Sequence, residues 1–184
     1  RNDFTLTRRA VVTDEFSILA FSDVHFFNEG ASSNDEQTGY NNTTLPDIND
    51  YIQKFDNLIA INCGDVVTNV TEKLTDSKKE FAEIKKGGKT VPMLMAIGNH
   101  DYDNGETSAL ASTQDWFNVY GPTDYSVNIG KAHIVCMSNI LYTGQTDGGY
   151  GKAIQYEKGL TDEQWAWLQE DLALIENKAD KMLI

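Results

Sequence analysis

The sequence predicts an α/β fold in which a β-sheet core is flanked by helices. Two observations lead to this prediction. Short apolar runs of strand length alternate with helical patterns, and three of the runs end directly in polar residues that are common in active sites. These runs span residues 16–21, 58–63 and 91–95. At 184 residues the chain has the size of one domain, so we expect residues 1–184 to share a single core.

The segments between these runs have distinct compositions. Residues 1–15 are polar and mixed, which predicts an irregular N-terminal segment. Residues 28–44 are rich in Asn, Gly, Ser, Thr and acids, which predicts a long loop. Helical patterns cover residues 45–54, 72–86 and 107–120, and glycines directly follow the second and third of them.

The C-terminal part combines a hairpin, a loop and a helix. Residues Tyr125–Ile129 and 133–137 have strand character on either side of a short Gly-containing connection, which predicts a β-hairpin. Residues 143–152 hold four glycines, which predicts a loop. Thr161 and Gln164 form a capping box, in which each side chain bonds a free backbone amide at the start of a helix.

Several side chains are expected to be buried. Apolar residues at helical spacing predict the core-facing sides of three helices; they are Phe81 and Ile84, then Leu110, Trp116, Phe117 and Tyr120, then Trp165, Leu168, Leu172 and Ile175. Cys63 and Cys136 lie in apolar runs, which predicts buried free thiols rather than a disulfide. His133 lies inside a strand, which favours a packed structural histidine over a ligand.

The charge balance excludes some partners. The net charge is −13, which argues against a nucleic-acid surface because such a surface needs basic residues to neutralise phosphates. A phosphate-bearing substrate would also be repelled unless metal cations reversed the local field. No apolar run approaches the length of a membrane span. The chain begins at Arg1 rather than Met, so localisation stays open, with an extracytoplasmic or secreted protein that has lost its leader as one interpretation.

The candidate site comes from the ends of the three apolar runs. These ends read Asp23-Val24-His25, Gly64-Asp65 and Gly98-Asn99-His100-Asp101. Ligands gather at the carboxyl ends of strands in parallel sheets, so we expect these residues to converge if the strands are neighbours. Carboxylate, imidazole and amide ligands suit divalent ions such as Mn, Fe or Zn, and two such ions can clamp a phosphoryl group and activate a water.

These three motifs, in this order, resemble the first three blocks of the calcineurin-like metallophosphoesterase superfamily. The resemblance implies a metal-dependent phosphomonoesterase or phosphodiesterase acting on a small phosphate ester through two divalent ions. It implies that Asp23 and His25 hold the first ion, that Asp65 bridges both ions and that Asn99 binds the second. It also implies that His100 protonates the leaving oxygen and that Asp101 orients His100.

The sequence departs from the family pattern in two places. Many members have a second acid three residues after the bridging aspartate, where this chain has Thr68. The later histidine blocks of the family are absent, and residues 182–184 begin an apolar run where the next histidine-bearing strand would start. We therefore expect a catalytic domain truncated before its last strands, with an incomplete second metal site and impaired activity. A non-catalytic binding or structural module that retains the fold is the alternative.

Overall fold

The computed structural model describes residues 15–27, 37–148, 151–176, 178 and 181–184. The first sheet is parallel, as predicted, and contains β1 (Ser17–Phe21), β2 (Leu58–Asn62) and β5 (Met93–Met95) in the order β1-β2-β5. Strand β2 lies in the centre and every one of its residues is buried, whereas β1 is an edge strand that alternates between half-buried and exposed residues. The carboxyl ends of all three strands meet at one edge of the sheet.

A helical segment connects β1 to β2. A π-helical turn at Tyr40–Thr44 continues into α1 (Leu45–Tyr51), and a 3-10 turn at Ile52–Lys54 follows, so the predicted helix over residues 45–54 is confirmed. The predicted loop over residues 28–44 is wrong from residue 37 onwards, and its remainder lies outside the described residues, as do residues 1–14. The buried Tyr40 ring packs against Phe26 with 4.8 Å between centroids, which is a tertiary contact that the polar local sequence does not reveal.

The second predicted helix is shorter than the sequence suggests. Helix α2 covers Leu74–Phe81, and the chain then forms a small hairpin of β3 (Lys85–Lys86) and β4 (Lys89–Thr90). Gly87 and Gly88 have φ values of +55° and +77°, so they make the two-residue turn of this hairpin instead of ending a helix. Phe81 and Ile84 are buried, as predicted.

Two short helices replace the single helix predicted over residues 107–120. They are α3 (Ala109–Ser112) and α4 (Gln114–Tyr120). Trp116 is buried, as expected of a core residue, and its ring centroid lies 4.7 Å from that of Tyr120. The prediction was wrong for Leu110 and Phe117, which are 79% and 59% exposed. Phe117 directly follows Trp116 in α4, so its side chain points away from the core that Trp116 faces.

A second sheet packs face to face on the first. It contains β6 (Tyr125–Ile129) and β7 (Ala132–Cys136), which form the predicted antiparallel hairpin, and β10 (Met182–Leu183), which pairs in parallel with β7. Ile59 and Ile61 of the first sheet contact Ala132 and Ile134 of the second. The Tyr125 hydroxyl links the two layers, since it accepts a hydrogen bond from Met95 N and donates one to Met95 O.

The loop predicted over residues 143–152 is wrong for residues 143–148 and 151–152, and residues 149 and 150 lie outside the described residues. Strands β8 (Ile140–Gly148) and β9 (Gly151–Lys158) pair antiparallel across most of this segment. The ladder is irregular between Tyr142 and Gly144, and Gly144 has a φ of +147° that only glycine adopts easily. Glycines occur in loops and also in strands that contain a bulge, so a glycine-rich composition does not distinguish the two. This explains the error.

Helix α5 (Asp162–Ala173) begins as predicted. Both hydrogen bonds of the capping box are present, at 3.1 Å to Thr161 Oγ1 and 2.9 Å to Gln164 Oε1. Leu168, Leu172 and Ile175 are half-buried, but Trp165 is 51% exposed, so its predicted burial was wrong. Within the described ranges no helix is long and apolar enough to cross a membrane.

The cysteine prediction was half correct. Both thiols are free, as expected, and Cys136 is buried in β7. Cys63 is exposed, because it follows the last residue of β2 at the edge where the strand leaves the core.

His133 is a structural histidine, as predicted. It is buried in β7 on the side that faces α5, where its Nε2 lies 2.7 Å from Asp171 Oδ2 and its Nδ1 lies 3.0 Å from Asn128 Oδ1. The other oxygen of Asp171 accepts a hydrogen bond from Ser126 Oγ at 2.8 Å. One carboxylate therefore attaches α5 to both strands of the β6–β7 hairpin.

Removing this carboxylate should destabilise the fold. We expect Asp171→Ala to lower the free energy of unfolding by about 2 kcal/mol, because it leaves a buried imidazole and a hydroxyl without their partner. Urea titration followed by circular dichroism measures the change. Glu170→Ala, which removes an exposed acid from the next position of the same helix, serves as the control. Equal stability of the two variants would contradict this account of His133.

Candidate metal centre

The backbone is strained at three of the predicted ligands. Asp23, His25 and Asp65 have φ values of +56°, +50° and +54°, in the left-handed region that residues with a Cβ seldom occupy. Such conformations cost about 1–3 kcal/mol each and persist only where the surrounding structure holds them. Three of them at the ends of two adjacent strands make this edge of the sheet the candidate site.

Backbone hydrogen bonds hold these residues in register. Pairing continues beyond the ends of β1 and β2: Asp23 N donates to Gly64 O, and His25 N donates to Asp65 O, each at 3.0 Å. Phe26 N then donates to Val66 O at 2.8 Å. The loops after β1 and β2 therefore run side by side, and their direction is set by the sheet.

This arrangement brings two carboxylates and an imidazole together. His25 Nε2 lies 3.9 Å from Asp23 Oδ1 and 3.9 Å from Asp65 Oδ2, and one ligand atom from each residue lies within 4.8 Å of the others. Asp23 is the most exposed of the three side chains and accepts a hydrogen bond from the Ser22 hydroxyl. Acidic oxygens around one imidazole nitrogen form a donor set that fits a divalent metal ion.

Thr68 holds the His25 ring from the side opposite to the carboxylates. Its Oγ1 lies 3.0 Å from His25 Nδ1, so the other ring nitrogen, Nε2, faces Asp23 and Asp65. Metal-binding histidines commonly have their second nitrogen bonded in this way, which sets the ring orientation. Thr68 stands where the family resemblance leads one to expect an acid. The hydroxyl at this position contacts the His25 ring, which the polar composition of the loop alone does not predict.

Two glycines allow the third loop to approach Asp65. A Cβ on Gly98 would lie 2.2 Å from Asp65 Oδ1 and 2.3 Å from Asp65 N, and a Cβ on Gly64 would lie 2.6 Å from Gly98 N. The backbones after β2 and β5 are therefore in direct contact at these positions. A side chain at Gly98 would displace the predicted ligand Asp65, and a side chain at Gly64 would displace the backbone of Gly98 and Ile97.

The third loop places His100 in the site. A 3-10 turn at Asn99–Asp101 follows Gly98, and His100 N donates to Asp65 Oδ1 at 3.0 Å. The His100 ring lies edge-on to the His25 ring, with 4.9 Å between the centroids. His100 Nδ1 lies 3.2 Å from Asn69 Oδ1, a contact between two loops that no local sequence pattern predicts.

Asp101 is hydrogen-bonded through its carboxylate to the backbone of two loops. Its carboxylate is fully buried and accepts hydrogen bonds from the backbone N–H groups of Val66, Val67 and Gly98 at 2.8, 3.0 and 2.9 Å. The side chain that contacts the His100 ring is that of Asn69. Asp101 therefore joins the second and third loops, and its expected role in orienting His100 stays a prediction. Burial raises its pKa to about 7, although the three backbone donors favour the ionised form.

Asn99 lies beside the cluster but is not joined to it by a hydrogen bond. It is half-buried between Gly98 and His100, and both of these neighbours contact Asp65. Within the part of the chain that the structure describes, its side chain has no hydrogen-bond partner, and the carboxylate and imidazole ligands that come together beside it are those of Asp23, His25 and Asp65. The assignment of Asn99 to a second ion therefore stays a prediction.

Comparison with known protein families agrees with this geometry. The family model described as calcineurin-like phosphoesterase matches residues 16–183, which is nearly the whole chain. The parallel sheet with flanking helices is consistent with the fold of that family. No curated protein matches the chain.

The contact between Gly98 and Asp65 leads to a prediction for the glycine. We expect Gly98→Ala to lower the free energy of unfolding by about 1–3 kcal/mol, because the added methyl group displaces Asp65 and its loop. Gly39→Ala is the matched control, since Gly39 has a helical φ of −61° and a Cβ there meets nothing within 4 Å. Urea unfolding should therefore show an unchanged or slightly raised stability for the control. A Gly98→Ala protein as stable as the control would disprove the close packing of these loops.

The contact between Thr68 and His25 predicts an effect on metal affinity. We expect Thr68→Val, which removes the hydroxyl and keeps the shape, to weaken binding of Mn²⁺ or Zn²⁺ by about 10–100-fold. Thr68→Ser retains the hydroxyl and should bind metal nearly as well as the unmodified chain. Isothermal titration calorimetry measures both affinities and the number of ions bound. Equal affinities for the Val and Ser variants would show that the hydroxyl does not orient His25.

Proposed function

Because this chain belongs to the calcineurin-like phosphoesterase family, we propose that it hydrolyses small phosphate esters with divalent ions bound at Asp23, His25 and Asp65. The observation that carries the proposal is the convergence of these three ligand atoms within 4.8 Å at the carboxyl edge of the parallel sheet. The left-handed backbone of all three residues supports it, since such strain is concentrated at functional sites.

The charge of the chain makes cations necessary for this chemistry. With a net charge of −13 and acidic side chains in the cluster, the chain alone repels a phosphate group. Bound divalent ions supply positive charge for the phosphoryl oxygens and lower the pKa of a coordinated water. Mn, Fe and Zn suit a site of mixed oxygen and nitrogen donors.

We propose a second ion between Asp65 and Asn99. Asp65 Oδ2 faces the first cluster, and Asp65 Oδ1 already lies against the third loop, where it accepts the His100 amide hydrogen. A carboxylate oxygen has more than one lone pair, so Oδ1 can bind an ion as well as this amide. The half-buried side chain of Asn99, which has no hydrogen-bond partner among the described residues, is the proposed further ligand in that loop.

His100 is the proposed proton donor. Its ring lies beside the ligand His25, so it is close enough to the cluster to reach the ester oxygen that leaves. The leaving oxygen takes the electron pair of the broken P–O bond and the proton of His100. Phosphate monoesters and diesters are both compatible with these groups, since the two substrate classes need the same charge stabilisation and proton transfer.

Replacing Asp65, the proposed ligand of both ions, tests the proposal. We expect Asp65→Asn to reduce the hydrolysis of an aryl phosphate by more than about 100-fold, because the amide removes a negative charge from the metal site. Release of the coloured phenol in the presence of Mn²⁺ or Zn²⁺ measures the rate, and EDTA should abolish the rate of the unmodified chain. Asp50→Asn makes the same charge change at an exposed position of α1 and should leave the rate unchanged.

The same experiment separates the proposal from its alternative. A non-catalytic module that retains the fold would bind metal through Asp23, His25 and Asp65 and would release no phenol above the EDTA blank. Metal binding in the calorimeter without any metal-dependent hydrolysis of mono- or diesters would therefore favour the binding module over the enzyme.

A further inference from the structure

Asn69 makes two contacts with His100. Its side-chain Oδ1 lies 3.2 Å from His100 Nδ1, and its backbone N donates to His100 O at 3.0 Å. Asn69 has a φ of +57°, a left-handed conformation that asparagine adopts more readily than most residues. The residue follows Thr68, which contacts the other histidine of the site, so consecutive residues of one loop hold both rings.

We propose that Asn69 is the positioning residue of His100: it keeps the neutral imidazole in the form protonated on Nδ1 and turns Nε2 towards the substrate. This inference rests on the proposed role of His100 in phosphoester hydrolysis. An amide oxygen only accepts hydrogen bonds, so a bond between Asn69 Oδ1 and His100 Nδ1 requires the proton on Nδ1. The hydrogen bond at one ring nitrogen decides which nitrogen is protonated, and the other is left to react.

The other contacts of His100 do not distinguish its two ring nitrogens, so the Asn69 side chain makes that distinction. The backbone of His100 is held on both sides, since its N–H bonds Asp65 Oδ1 and its carbonyl accepts from Asn69 N. The ring can still rotate about its side-chain bonds, and the edge-on contact with His25 limits that rotation without distinguishing the two nitrogens. Within the described residues, the bond to Asn69 is the one hydrogen bond of the His100 ring.

The proton balance of the reaction explains the use of this form. The imidazolium has N–H groups on both nitrogens. When the P–O bond breaks, its electron pair passes to the leaving oxygen, the Nε2–H bond breaks and the proton joins that oxygen. The ring is left neutral with its proton on Nδ1, which is the form that Asn69 stabilises. An amide does this without adding a further negative charge to an acidic site.

Nitrogen NMR of the histidine rings tests the inference directly, without bound metal. The chain has only three histidines, so two-bond ¹H–¹⁵N spectra resolve each ring, and His100→Gln identifies the His100 signals. At a pH where the rings are neutral, we expect the unmodified chain to show His100 protonated on Nδ1. Asn69→Gly, which tolerates the left-handed backbone and lacks the acceptor, should shift the population towards the Nε2-protonated form, and Asn69→Asp should retain the Nδ1-protonated form.

Asn57→Gly is the matched control. Asn57 is exposed, has a similar φ of +51° and lies before β2, at the end of the sheet opposite to the site. This control should leave the His100 signals unchanged. Protein for all variants is made in a host without N-glycosylation, because Asn69-Val70-Thr71 matches the acceptor pattern for a glycan. His100 protonated on Nε2 in the unmodified chain, or a pattern unaffected by Asn69→Gly, would overturn the inference.

Kinetics give a second readout. With an aryl phosphate and Mn²⁺, we expect Asn69→Gly to lower kcat by about tenfold or more with little change in KM, and Asn69→Asp to restore most of the rate. A loss that Asn69→Asp does not restore would indicate a merely structural role and overturn the inference. If the unmodified chain shows no hydrolysis while the NMR pattern is as expected, the positioning of His100 by Asn69 stands and the proposed function fails.

Discussion

The Asp101 carboxylate is the interaction on which the geometry of the site depends. It accepts hydrogen bonds from Val66 and Val67 in the loop after β2 and from Gly98 in the loop after β5. Hydrogen bonds to a charged group contribute about 1.5–3 kcal/mol each, and here they offset part of the cost of burying this carboxylate. The pKa of about 7 reflects this opposition, since burial raises it and the donors lower it. This link adds to the direct hydrogen bonds between the loops, from His100 N to Asp65 Oδ1 and from Asn69 N to His100 O.

Backbone contacts between the loops explain how the strained ligands can persist. Asp23, His25 and Asp65 have positive φ values, and the backbone bonds that extend β1–β2 pairing beyond the strands hold two of the loops in these conformations. The close contact of Gly64 and Gly98 then places the third loop against Asp65. The ligand geometry is therefore built into the backbone before any ion binds, which reduces the reorganisation needed on binding.

The histidines of the chain differ in the group that holds each ring. His133 contacts a carboxylate and is buried beneath a helix, where it joins elements of the fold. His25 contacts the hydroxyl of Thr68, and His100 contacts the amide of Asn69. The Nδ1 atom of each site histidine therefore has a neutral hydrogen-bond partner. The cluster already holds the charges of Asp23 and Asp65. A hydroxyl or an amide orients a ring without making the site still more negative.

The sequence by itself determined the strands of the first sheet, the β6–β7 hairpin, the cap of α5 and the convergence of Asp23, His25 and Asp65. These features depend on local patterns: apolar runs, a capping box and polar residues at the ends of parallel strands. Only the tertiary structure decided the π-helical turn at Tyr40–Thr44, the β8–β9 hairpin and the exposure of Leu110, Phe117 and Trp165. It alone showed that Asn69 rather than Asp101 contacts His100, because that contact joins positions 31 residues apart and no local pattern records which loops touch.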